Sequence, residues 1–190
     1  MPTFSYLTKD VINSLNLIEK ENDNLLLGSF CGAVIELLGT ILLLPQRAGS
    51  GECFKKFIEK FLSKRDPAYD TYKDLLWDDL RNGGAHSILP KGGIVLTGDK
   101  RESSKHLKIG RDPDTRRIYL VIFTPKFLDD LRQSVLEFVS EAQKDPTLAS
   151  NYKNTILGIV RDGKKSIVNK LNRSGLKIDF QGRLKGDIHI

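Results

Sequence analysis

Apolar residues recur at helical spacing through the first half of the chain. Leu7, Val11, Ile12, Leu15 and Ile18 share one face, and Lys9, Asp10, Asn13 and Glu19 share the other, which predicts an amphipathic helix over residues 5–20. A nearly unbroken apolar run predicts a second helix over about 24–44, ending before Pro45. Phe54, Phe57, Ile58, Phe61 and Leu62 give a short third helix an aromatic stripe. After Pro67, a fourth helix turns Tyr72, Leu75, Leu76 and Leu80 inward; Gly83-Gly84 weaken it, and Pro90 and Gly92-Gly93 end it.

The pattern then becomes extended. Residues 94–97, 106–109 and 117–123 predict three strands, with turns at Gly98-Asp99 and Asp112-Pro113-Asp114, most simply an antiparallel meander. Thr124-Pro125 opens a long helix faced by Phe127, Leu128, Leu131, Val135, Phe138 and Val139. A further helix follows Asp145-Pro146, with Leu148, Tyr152, Ile156, Ile159 and Val160 as its stripe, and the pattern is irregular from Gly175. The expected fold is mainly α: a helical bundle over 1–145 with a small antiparallel β insertion at about 93–123, then a C-terminal helical extension and tail over 146–190.

The second helix has the length of a membrane span. Glu36 sits in its middle, and a central carboxylate costs about 3 kcal/mol on insertion, against about 0.3–0.6 kcal/mol returned by each Leu, Ile or Phe. Its glycines, Gly28 and Gly32 among them as a small-xxx-small pair, also suit close helix packing. A helix apolar on all sides belongs equally in the centre of a bundle, and that placement is expected here, with no membrane partner.

With 190 residues the chain can bury a sizeable core. The formal charge of +6 and a pI near 9.3 give a basic surface, which suits nucleic acid. Cys31 and Cys53 have neither disulfide-framework nor zinc spacing, consistent with incidental thiols in a reducing cytoplasm. No signal-peptide pattern follows Met1, and no P-loop, dinucleotide fingerprint or HExxH motif occurs, so neither a cofactor nor a metal is expected.

The candidate chemistry lies in Asp78-Asp79-Leu80-Arg81-Asn82-Gly83-Gly84-Ala85-His86, at a helix end. Arginine is permanently charged and suits phosphate, and histidine exchanges protons near neutral pH. Together they can cleave a phosphodiester. On an α-helix residues four apart share a face, so Asp74, Asp78, Asn82 and His86 form a column and Asp78 can hold Arg81. Arg81 and His86 are five apart, about 140 degrees around such a helix, so the long Arg side chain, a bend at Gly83-Gly84 or a second subunit must bring them together. A purely structural assignment uses the same residues: Arg81 paired with Asp78, and His86 capping the helix C-terminus.

This stretch, from Leu75-Leu76-Trp77 to His86-Ser87, resembles the motif helix of the HEPN superfamily, in which an arginine, a polar residue, three variable residues and a histidine close one helix of a bundle. Arg81, Asn82 and His86 match that motif, and the resemblance covers about residues 5–143. It implies an up-and-down bundle that dimerises through the motif helix, with two motif copies lining one cleft. It also implies metal-independent endoribonuclease activity of a toxin, defence or RNA-processing kind, with an antitoxin or nucleotidyltransferase as a possible partner. His86 would then move protons at the ribose 2′-hydroxyl and the leaving 5′-oxygen, Arg81 would stabilise the phosphorane, Asn82 would orient His86 or the phosphate, and Asp78 would support the site. Lys91, Arg101, Lys105, Arg116 and Arg117, in or next to the β insertion, are the candidate RNA contacts. A non-catalytic dimeric module binding a protein, a nucleotide or RNA through the same groove is the alternative.

Overall fold

The structure, a computed structural model, describes residues 4–21, 24–46, 48–83 and 93–173. The chain divides into two compact units, Met1–Ala149 and Ser150–Ile190.

In the first unit, α1 has a π-wound start, Tyr6–Val11, and an α-helical body, Ile12–Glu21, with Leu7, Val11, Leu15 and Ile18 buried. Helix α2, Asn24–Leu43, packs against α1, against α3 (Ser50–Lys60) and against the segment Leu76–Gly83. Leu27, Cys31, Ile35, Leu38 and Ile41 are all buried, as befits an apolar helix inside a bundle. No helix among the described residues is long and apolar enough to cross a membrane.

Phe54, Phe57 and Ile58 of α3 are buried, and Phe61 follows them inward. The Phe57 and Phe61 rings stack at 5.1 Å, and Phe61 meets Phe138 edge-on at 5.9 Å, which joins α3 to α6 (Thr124–Lys144). Beside this contact Lys60 reaches Glu141 at 2.7 Å, Lys64 reaches Glu137 at 2.5 Å, and Arg65 also pairs with Glu137. A 3-10 turn, Leu62–Lys64, leads to the single-turn helix α4, Ala68–Thr71. Helix α5 begins as Lys73–Leu75 and continues as a π-helix, Leu76–Gly83.

The sheet corrects one expectation. Its order is β1 (Ile94–Thr97), β3 (Ile118–Phe123), β2 (Lys108–Arg111), and β1 pairs with β3 in parallel, Ile94 opposite Leu120, while β2 pairs with β3 antiparallel. It is therefore mixed, not an antiparallel meander. Burial decides the order. β3 carries Leu120, Val121 and Ile122, all buried, and takes the centre; β2, Lys-Ile-Gly-Arg, is polar enough for an edge. Asp99, expected in a tight turn, instead caps a 3-10 segment, Lys100–Lys105, by accepting from the Arg101 N–H at 3.0 Å. Helix α6 has the expected apolar face, with Phe127, Leu128, Leu131, Val135, Phe138 and Val139 buried.

Helix α7, Pro146–Arg173, runs into the second unit. Its sequence stripe is not an inward face throughout: Ile159 and Val160 are each more than half exposed.

Candidate functional site

Helix α5 is wound differently along its length. Its chain breaks step at Tyr72 (φ −104°, ψ 13°), takes one short α turn and then adopts π winding from Leu76 to Gly83. Trp77 fixes this segment to α3, with its ring 5.4 Å from Phe54 and so close to Gly51 that a Cβ there would stand 3.1 Å from the indole. In a π-helix each backbone hydrogen bond spans five residues instead of four, so successive side chains are rotated less than on an α-helix. Arg81 thus follows buried Leu76 onto the side facing α2.

There it meets Glu36. The Arg81 Nε–H donates to Glu36 Oε2 at 2.7 Å, with both side chains only about one-fifth exposed (22% and 20%). The expected partner, Asp78, does not hold Arg81; it is exposed, because π winding turns Arg81 away from the column that α-helical spacing assigns to Asp78. Gly32 makes room for the pair. A Cβ on Gly32 would stand 2.7 Å from Arg81 Cδ and 3.3 Å from its Cα. Gly32, expected to suit close helix packing, therefore seats the stem of an arginine. Glu36, read first as an obstacle to membrane insertion, is the residue missed at this site. The signal was present, since a lone carboxylate in an apolar helix needs a buried cation.

The other site residues divide clearly. The backbone of Asn82 lies in the π-helix, whereas its side chain, His86 and Lys91 lie outside what the structure describes. Asp79 Oδ2 accepts from the Gly93 N–H at 2.7 Å and ties the start of β1 to the motif helix. Arg101 is held by Asp99, Nη2 to Oδ2 at 2.6 Å, and this bond lowers the Asp99 pKa to about 2. Lys105 pairs with Glu102 at 2.8 Å. Arg116 and Arg117 are exposed and have no ion pair among the described residues. Arg116 holds a left-handed φ of 58° in a turn that Asp112 builds, its Oδ1 accepting from the N–H groups of Asp114 (2.9 Å) and Thr115 (2.7 Å). That carboxylate is therefore a turn former. Among the described residues no three histidine, cysteine or acidic side chains gather at metal-binding spacing. Cys31 and Cys53 are free and buried, and burial pushes the Cys31 thiol up.

No family model, curated protein or solved structure matches this chain. The resemblance to HEPN proteins therefore rests on the motif residues themselves.

A second polar cluster was invisible in the sequence. His106, expected on the surface of a strand, is buried, with 7% of its side chain exposed. Leu107 adopts a left-handed φ of 53°, so the strand starts one residue later, at Lys108, and His106 turns inward. Its Nδ1 accepts from the Phe123 N–H at 3.2 Å, which leaves Nε2 to carry the ring proton and face the Tyr69 hydroxyl at 3.1 Å. Tyr69 donates to Asp130 Oδ2 at 3.0 Å, and Lys126 pairs with the other carboxylate oxygen. The chain of bonds fastens the β insertion to α4 and α6, and burial raises the Tyr69 pKa.

Burial, with Lys126 adding to it, lowers the His106 pKa, while Asp130 and Asp66 oppose the shift. A histidine whose folded pKa lies below its unfolded value contributes stability above about pH 6.5, and loses it as pH falls towards the lowered value, because the unfolded chain takes up the proton first. The thermal midpoint should therefore fall as the pH drops below about 6.5 towards the lowered value. His106→Asn keeps an acceptor for Phe123 but does not titrate, and should remove that component. An unchanged pH slope in the variant would assign it to other groups.

Proposed function

We propose that this chain is a metal-independent endoribonuclease of HEPN type, working as a homodimer with Arg81, Asn82 and His86 at its centre. The observation that carries this reading is Arg81 itself: a half-buried arginine, fixed at the end of the motif helix and followed at motif spacing by an amide and a histidine. Arg81 lies in the π-helical segment Leu76–Gly83, and π segments are frequent at functional sites. In the proposed reaction His86 removes the 2′-hydroxyl proton, the 2′-oxygen attacks phosphorus, and the 5′-oxygen leaves with a proton from the second copy of His86. Arg81 neutralises the charge gathered on the phosphorane. The products are a 2′,3′-cyclic phosphate and a 5′-hydroxyl. Arg116 and Arg117 are better placed than Arg101 and Lys105 to meet RNA, since local acids already engage the latter two.

The test is to incubate the purified protein with mixed single-stranded and structured RNAs in EDTA. Cleavage leaving cyclic phosphate ends, absent in His86→Ala and on 2′-deoxy substrates, is the expected result. Activity that survives His86→Ala would refute it. The ion pair of Arg81 with Glu36 also favours a second reading, a non-catalytic binding module, because a structural arginine makes the same contact. That reading expects dimerisation and RNA binding with no turnover.

A further inference from the structure

Three independent features fix one side chain. π winding aims Arg81 at α2, Gly32 leaves a slot for its aliphatic stem, and Glu36 takes its Nε–H at 2.7 Å. Glu36 contacts the guanidinium through Nε alone. Among the described residues the two Nη groups meet no acceptor, so four of the five N–H donors remain to be offered. A guanidinium gripped from behind at Nε presents its Nη edge as a flat fork, the shape that takes two oxygens of a phosphate. Stability alone is a poor reason for the arrangement, since apolar side chains of similar size usually replace a buried ion pair at no loss.

From this we infer that Glu36 is a positioning residue: it orients Arg81 so that the Nη edge faces a non-bridging oxygen pair of an RNA phosphodiester. The inference rests on the nuclease reading and adds the residue that sets the angle of its electrophilic arginine. Glu36 touches no substrate atom. Its carboxylate also offsets the charge of Arg81 at rest, so it weakens ground-state attraction for phosphate while it organises the transition state.

The two roles separate in two variants. Glu36→Gln keeps an oxygen that can accept from Nε but removes the charge; Glu36→Ala removes both. With fluorescein-labelled single-stranded RNA as probe, both variants should bind more tightly than wild type, by about threefold or more, because the competing carboxylate is gone. In single-turnover cleavage Glu36→Ala should lose about thirtyfold in rate, as expected for a misplaced catalytic group, and Glu36→Gln should stay within about threefold of wild type. A merely structural role would weaken binding and rate together, and Gln would not rescue. Thermal melts establish that each variant is folded, and Gly32→Ala, which crowds the Arg81 stem with both charges intact, should reproduce the rate loss. If wild type cleaves and Glu36→Ala cleaves equally well, the positioning role is overturned while the nuclease reading stands. If wild type cleaves no RNA, the nuclease reading fails, and binding decides: tighter binding in both variants that Arg81→Ala abolishes supports Glu36 as the holder of a phosphate-facing arginine, and unchanged affinity overturns it.

Discussion

Gly39→Ala is expected to destabilise the first unit more than any other single added methyl group. A Cβ on Gly39 would lie 1.7 Å from the carbonyl oxygen of Cys53 and 2.4 Å from its carbon. Both are backbone atoms of α3, so no side chain can swing aside; α2 and α3 must separate along their whole contact. Phe54, Phe57 and Ile58 are buried close to that crossing and would lose packing as the helices part. Overpacking of this kind costs about 1–3 kcal/mol where side chains can adjust, and the rigid contact places Gly39→Ala at about 3 kcal/mol or above. For a chain of this size that is a fall of about 6–12 °C in thermal midpoint, and Gly39→Val should leave little folded protein. Gly158→Ala on α7 is the opposite case. Nothing lies within 4 Å of its added Cβ, so the gain in helix propensity, about 0.5–1 kcal/mol, is uncompensated and should strengthen that helix. Circular-dichroism melts of the two variants should move in opposite directions. A wild-type midpoint for Gly39→Ala would show that the helices do not cross this closely.

How much of this was legible in the chain depends on what sets each feature. Helices α1, α3 and α6 were readable because a 3.6-residue period marks a buried face whatever lies opposite, and Leu7, Leu15, Phe57 and Phe138 are buried as that period requires. β3 was readable as a strand but not as the central one. Chain order favours a meander, whereas the stretch Tyr-Leu-Val-Ile-Phe demands cover on both faces. His106 was misread because alternation in His-Leu-Lys-Ile looks extended, and only the left-handed Leu107 reveals the break. The π winding at Leu76–Gly83 was not readable at all. It is stabilised by what it packs on: Glu36 and Gly32 from α2 and Phe54 from α3, lying some 20 to 50 residues away in sequence. The motif names Arg81, and a distant helix supplies the contact that Arg81 makes. Glu36 could have been linked to a cation from the sequence, but not to Arg81 in particular, because α-helical arithmetic gives that arginine to Asp78.

On the nuclease proposal, Arg81→Ala is expected to cut RNA cleavage by about a thousandfold, the loss typical of removing one group that stabilises charge in the transition state. The variant should also be less stable by about 2 kcal/mol, because Glu36, one-fifth exposed, would remain as an unpaired carboxylate among apolar neighbours. Activity and stability are therefore confounded in the single variant, and a double replacement separates them. Arg81→Leu with Glu36→Leu removes both charges and puts an apolar pair between α2 and α5. Apolar pairs commonly match or exceed buried ion pairs in stability, so the double variant should melt at or above the wild-type temperature. It should nonetheless cleave no better than Arg81→Ala, since no leucine can neutralise a phosphorane. Arg81→Lys falls between the two. It keeps the charge but offers an ammonium point in place of a fork and cannot donate from an Nε position to Glu36, so it should fold well and retain only a small fraction of the rate. Melting curves and single-turnover cleavage on these variants give a sharp contrast: a stable double variant without activity places Arg81 in the chemistry, whereas a stable double variant that still cleaves would assign the pair to packing alone and move the catalytic group elsewhere.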